Sequence, residues 1–232
     1  MVASAAPGDG KTTVARHLAG AAARMGSRVL LLEADLRRPT IALQLDVSSG
    51  PGVADVLIGA VSLGEATQTV DLGLPGADGS GARSFDVLVA GSSLPPNPGE
   101  LIESHAMESL LQQAKGRYDL IVVDTPPLTA VSDAFPLLGK VDGVIIVGRV
   151  GRNRRDVAQR LHETLTGAGA PLLGVVANGL KSGRRGGYGY GYSYDYAAGG
   201  GKPVAGDGGP SAGGASPNGA GVSDSPVPTS QA

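Results

Sequence analysis

Five short aliphatic runs, at 29–32, 85–89, 120–123, 143–147 and 172–176, are apolar at nearly every position. A strand with one wet face alternates apolar and polar residues; a strand that is apolar throughout must be covered on both faces. Stretches with helical spacing lie between the runs, at 12–25, 105–115, 132–138 and 153–166. Strands separated by helices pair in parallel, because the crossover returns the chain to the same end of the sheet. The chain is therefore expected to be α/β, with a mostly parallel β-sheet flanked by helices on both faces. A stretch rich in Gly, Ala and Asp at 74–83 reads as an exposed insertion. Only residues 1–4 precede the first turn-forming segment, which is few for a central strand. The first strand is thus expected to be truncated, in a fragment or in a chain whose start lies too far downstream.

Hydrophobic residues make up 41% of the chain, enough for one core, and residues 1–182 are expected to hold it. Residues 183–232 contain 15 of the 38 glycines and 5 of the 16 prolines. Such a segment cannot bury enough apolar surface to offset its ordering entropy, so it is expected to be a disordered tail. Yet it carries five of the six tyrosines, Tyr188, Tyr190, Tyr192, Tyr194 and Tyr196. Hydroxyls in a segment without a core read as chemical substrates rather than packing groups.

A net charge of −2 supplies no global basic field for nucleic acid. The absence of cysteine excludes disulfides and thiolate metal sites. No apolar run reaches the roughly 18 residues that a spanning helix needs. The absence of cysteine agrees with a cytoplasmic protein, and the N-terminus lacks the basic-then-apolar pattern of a secretory signal.

Three segments carry chemistry. In Ala5-Ala6-Pro7-Gly8-Asp9-Gly10-Lys11-Thr12-Thr13 the Gly-Lys-Thr end matches a phosphate-binding loop, with Ala5 where a glycine is usual. Gly8 and Gly10 let backbone N–H groups converge on phosphate oxygens, with Asp9 and Thr13 completing the loop. The helix that follows adds its positive end. Lys11 is placed to reach the β- and γ-phosphates, and Thr12 to ligate Mg²⁺. The second segment ends an apolar strand with Glu33 and Asp35, whose spacing puts both carboxylates on one side. A solvated acidic turn is the alternative. The third, Leu120-Ile121-Val122-Val123-Asp124, is an apolar strand ending in the aspartate that holds Mg²⁺ in P-loop enzymes. Asn178 ends the last run, either to read an adenine edge or to form a turn before Gly179. Arg152, Arg154 and Arg155 read as the solvated start of a helix.

These residues resemble the bacterial tyrosine autokinases of the capsule and exopolysaccharide type. The likeness rests on the Pro-Gly-x-Gly-Lys-Thr-Thr loop, on Asp35-Leu36-Arg37-Arg38-Pro39, and on Gly91 with Leu94-Pro95-Pro96-Asn97-Pro98-Gly99-Glu100-Leu101. Asp124-Thr125-Pro126-Pro127 with Ser132-Asp133-Ala134 completes it. It covers residues 3 to about 180, and the tyrosine cluster lies where that family keeps its own. The resemblance implies a P-loop NTPase fold, Mg-ATP as phosphoryl donor and the tail tyrosines as acceptors, modified between neighbours in a homo-oligomeric ring. It implies catalytic roles for Lys11, Glu33, Asp35 and Asp124, with Glu33 as base where the family often has Asp. Thr12, Asp35 and Asp124 would hold the metal. It also implies coupling to a membrane polysaccharide chain-length regulator, separate or in a preceding segment, at the inner face of the plasma membrane. Two other readings stand beside it: a partitioning or positioning ATPase of the same fold, and a non-catalytic ATP-binding scaffold. The first family places a lysine near the start of its phosphate loop, where this chain has Ala5 and Ala6.

Overall fold

The computed structural model describes residues 1–75, 82–93 and 95–180. The tail expected at 183–232, with its tyrosine cluster, lies outside the described residues. Seven strands form one sheet in the order β3-β4-β2-β5-β1-β6-β7. They are β1 (Val2–Ser4), β2 (Val29–Glu33), β3 (Gln68–Pro75), β4 (Ala82–Leu88), β5 (Leu120–Asp124), β6 (Val144–Arg149) and β7 (Leu172–Asn178). Every pairing is parallel except that of β3 with β4. The central apolar strands β2, β5 and β6 are covered on both sides, as expected, but the apolar run of β7 at the sheet edge is not: Leu173 and Val175 are each 69% exposed. In β2, Leu30 and Leu32 enter one core while Val29 and Leu31 enter the other.

Helix α1 (Lys11–Arg24) forms the cover on the second side. Its stripe Ala15, Ala19 and Ala23 repeats every four residues and is buried. Alanine has the best helix propensity, and its small side chain lets the helix approach the sheet closely. Gly26 ends the helix in the left-handed region, at φ 98°. Short helices α2 (Ile41–Leu45), α3 (Val53–Leu57), α4 (Leu63–Ala66) and α5 (Pro98–Glu103) punctuate the long connections, followed by α6 (His105–Lys115) and α7 (Arg155–Gly167). Apolar side chains of α3, α4, α5, α6 and α7 fill the first core.

The short first strand is central. Val2–Ser4 pairs with β6 at three positions and meets β5 at Val2 and Asp124. Its carbonyls are spoken for on both sides: Thr125 Oγ1 donates to Val2 O at 3.0 Å, and Leu128 N to Ser4 O at 2.9 Å. Three residues suffice because each is bonded to a neighbour and Val2 and Ala3 are fully buried.

Two further expectations change. The stretch at 74–83 is not an insertion throughout, since Leu74 and Pro75 end β3 and Ala82 and Arg83 begin β4, which pair antiparallel at the sheet edge. The helix expected over 132–138 is reduced to a single 3₁₀ turn, Phe135–Leu137. Pro136 cannot donate within a helix, and Asp133 is drawn into an ion pair with Arg37.

Candidate functional site

In an open parallel sheet, ligands bind beyond the carboxyl ends of the strands. Here β1 leads into the phosphate loop, β2 into Asp35, β5 ends in Asp124 and β7 in Asn178. A cleft of ≈ 460 Å³ opens there, lined by Gly8, Lys11, Thr12, Asp35, Arg38 and Pro127 among others.

The phosphate loop is shaped by contacts that only glycine permits. Gly8 and Gly10 stand at φ 79° and 99°. A Cβ on Gly10 would lie 2.0 Å from Asn178 Nδ2, so any larger residue would push the Asn178 side chain off its brace on Asp9. Gly10 also leads α1 without any side-chain cap, which leaves the helix's first N–H groups for an anion. Asp9 is fully buried and is a strut within the loop. Its Oδ2 accepts from Ala6 N at 3.0 Å and from Asn153 Nδ2 at 3.0 Å. Thr13 faces solvent on the first turn of α1.

Lys11 Nζ rests 3.5 Å from Asp35 Oδ2, and Asp35 Oδ1 accepts from Arg38 N at 3.1 Å. Thr12 Oγ1 donates to Asp124 Oδ2 at 2.7 Å, tying the loop to the end of β5. Asp124 Oδ1 is buried and has no partner. Burial, with Glu33 and Asp35 nearby, pushes the Asp124 carboxyl up to about 6, against the opposing pull of Lys11 and Thr12. A buried oxygen with an unused lone pair beside a hydroxyl and a second carboxylate fits a hard divalent cation. Among the described residues no three His, Asp or Glu side chains converge to cage an ion. Mg²⁺ is commonly held by one or two carboxylates, with phosphate and water completing its shell.

Glu33 stands differently from its expected role. Its Oε1 accepts from Thr40 N at 2.6 Å and Ile41 N at 2.8 Å, and its Oε2 from Ala90 N at 3.0 Å. Burial raises its pKa, and the three amides oppose that shift. The carboxylate is 1% exposed and both oxygens are engaged, so it joins the end of β2 to the loop before α2 and to the end of β4. Asp35 is the acidic group of this pair that lines the cleft.

Asn178 donates from Nδ2 to Asp9 O at 2.9 Å and accepts from Gly179 N at 2.7 Å. It braces the phosphate loop and closes the turn before Gly179; reading a base would require it to give up that brace. Sequence reasoning missed three site contacts. Arg37 and Asp133 form a two-point ion pair, with Nη2 to Oδ1 at 3.0 Å, that anchors the segment after β2. Asn153 binds Asp9, and Arg149 Nη1 donates to Gly8 O at 3.2 Å. The last two partners are 141 and 144 positions apart, so no local pattern could reveal them.

A glycine loop seated between the central strand and an uncapped helix, facing a strand-end aspartate that its own threonine holds, defines a P-loop NTPase. The family model described as ParA, NUBPL iron-transfer P-loop NTPase, matches residues 1–182. Tyrosine-protein kinase YwqD of Bacillus subtilis is 37% identical over 189 residues, which cover 82% of this chain and 75% of that protein. Tyrosine-protein kinase etk of Escherichia coli is 35% identical over 180 residues, 78% of this chain but 23% of that longer protein. The solved kinase domain of Escherichia coli ETK superposes with a TM-score of 0.71 at 35% identity, covering 83% of this chain and 71% of that one. The chain belongs to the bacterial tyrosine-protein kinases, on a ParA-type P-loop NTPase fold.

Proposed function

We propose that this chain transfers the γ-phosphoryl group of Mg-ATP to its own C-terminal tyrosines, and so regulates exopolysaccharide or capsule synthesis and export. The observation that carries the reading is the Thr12–Asp124 bond with its orphaned Asp124 Oδ1, which joins phosphate loop and metal carboxylate in one site. Lys11 and the loop amides hold the phosphates, and Thr12, Asp35 and Asp124 would hold the cation. Mg²⁺ when bound would neutralise charge between the β- and γ-oxygens.

In the transfer, a tyrosine oxygen forms a bond to the γ-phosphorus as the bond to the β–γ bridging oxygen breaks and ADP leaves. The phenolic proton leaves toward Asp35, the carboxylate that lines the cleft, or to water. A phenol of pKa about 10 is mostly protonated at neutral pH, so positioning and charge neutralisation supply most of the rate. Each phosphate adds about −1.5 to −2 charge at pH 7. Repulsion among modified tails is a means of separating subunits of a homo-oligomer.

A membrane chain-length regulator, as separate partner or preceding segment, fits this role and would hold the kinase at the inner face of the plasma membrane. No helix among the described residues is long and apolar enough to cross a membrane itself. Mass spectrometry after incubation with Mg-ATP tests the proposal, with Lys11→Met as control. Phosphates on the tail tyrosines of the wild type, absent from the control, are expected. ATP turnover without phosphotyrosine would instead indicate a positioning-type ATPase.

A further inference from the structure

Three arginines flank the start of α7. Arg154 pairs with Asp156 at 3.2 Å. Among the described residues the Arg152 guanidinium has no hydrogen-bond or ion-pair partner. The residue is exposed, and its guanidinium lies against Gly8. A Cβ built on Gly8 would lie 3.1 Å from Arg152 Nη1 and 3.8 Å from its Cζ, so the guanidinium lies over the phosphate loop.

The turn that carries Arg152 is fixed on both sides. Before it, Arg149 Nη1 donates to Gly8 O at 3.2 Å. After it, Asn153 Nδ2 donates to both oxygens of Asp9, and Asn153 Oδ1 accepts from Arg149 N. The turn closes on itself through Arg152 N to Arg149 O at 3.2 Å, with Gly151 at φ 78°. Arg152 is thus delivered to Gly8 by the same contacts that clamp the loop.

The electrostatics favour an anion there. Arg152 lies against Gly8, in the loop that leads into the uncapped positive end of α1. Lys11 is engaged with Asp35, and Asp9 is buried within the loop and turned to Ala6 and Asn153. Among the described residues no acidic group pairs with Arg152, while Gly8 lines the same cleft as Lys11 and Thr12. A planar guanidinium over a loop of converging N–H groups matches a phosphoryl group bearing charge on several oxygens.

We propose that Arg152 is an arginine finger supplied in cis, which contacts the transferring phosphoryl group and stabilises the charge that develops on it. This rests on the phosphoryl-transfer reading above. No bond to Arg152 forms or breaks; its fixed positive charge lowers the barrier while the γ-phosphoryl moves from ATP to the acceptor oxygen and ADP leaves.

The experiment compares wild type, Arg152→Ala and Arg152→Lys in two measurements. One is single-turnover phosphoryl transfer from Mg-ATP. The other is binding of Mg-ADP, alone and with aluminium fluoride as mimic of the transferring group. For Arg152→Ala we expect transfer to fall by about 100-fold to 1,000-fold, the range for loss of one preorganised donor. Mg-ADP affinity should stay within about threefold, and the aluminium fluoride complex should be lost. Arg152→Lys should recover less than about a tenth of the rate, because an ammonium cannot reproduce the planar fork. Transfer by Arg152→Ala at the wild-type rate would overturn the proposal. So would a parallel collapse of Mg-ADP affinity and melting temperature, which would make Arg152 a brace of the loop. A wild type that makes no phosphotyrosine sinks the kinase reading instead, and the aluminium fluoride arm still decides Arg152 independently.

Discussion

Asp124→Asn should stabilise the nucleotide-free protein at neutral pH while removing the metal site. The carboxyl is buried, one oxygen has no partner, and its pKa rises from 3.8 to about 6. The folded state therefore holds the proton more tightly than the unfolded chain does. The stability this gives is complete below the unfolded value and is lost as pH rises through about 6. A shift of about two units corresponds to roughly 3 kcal/mol of cost to the ionised fold at pH 7.5. Asparagine keeps an acceptor for Thr12 Oγ1 and carries no charge, but its second polar group is as orphaned as the oxygen it replaces. Part of the gain is thereby cancelled, leaving about 1–2 kcal/mol, or a rise of about 2–8 °C in Tm for a protein of this size. The charge-derived part should shrink to about a third by pH 4.5. Thermal unfolding in EDTA at the two pH values reads both effects. Added Mg-ADP should reverse the order, because wild type binds it more tightly and is stabilised accordingly. A variant no more stable than wild type at pH 7.5, or one whose advantage is the same at pH 4.5, would refute the reasoning.

Glu33→Gln separates a structural carboxylate from a base. With both oxygens engaged by Thr40, Ile41 and Ala90 amides, the loss of one strong acceptor should cost about 1–3 kcal/mol in urea unfolding, with kcat falling less than about tenfold. Unchanged stability with a loss of transfer above about 100-fold would restore Glu33 as the base. Ala19→Leu places extra methylenes where α1 lies against the sheet with no exposed surface at all. It should cost about 1–3 kcal/mol by overpacking, and a Tm equal to wild type would show that this face has room.

The central architecture was legible because burial on both faces leaves a plain mark, unbroken aliphatic strands such as 120–123. The edge was less so. In β3, Thr69, Asp71 and Gly73 alternate with Val70 and Leu72, a half-exposed pattern that the glycine-rich stretch after it obscured. Helices α2 to α5 have four to six residues each, too short for a 3.6-residue period to repeat. Within the site, sequence placed Lys11, Thr12, Asp35 and Asp124 together, since each ends a strand or opens a helix. It could not separate Glu33 from Asp35, because which carboxylate meets backbone amides depends on a loop from a different crossover, at Ala90. Arg152 is exposed, as a solvated helix start should be, but its approach to Gly8 was hidden for the same reason, because the two lie far apart in sequence.

The central position of β1 sets a schedule for synthesis. Val2–Ser4 leaves the ribosome well before its partners, Asp124 and the strand at 145–147. At about 5–20 residues per second, those partners follow roughly 7 to 30 seconds later. During that interval the nascent chain holds an apolar segment with no mate, and pairing so distant in sequence is intrinsically slow. The phosphate loop is braced only once Asn153 and Asn178 emerge. Nucleotide thus has no formed site to enter until synthesis has passed Asn178, and a nascent chain stalled earlier would be a client for chaperones rather than a premature enzyme.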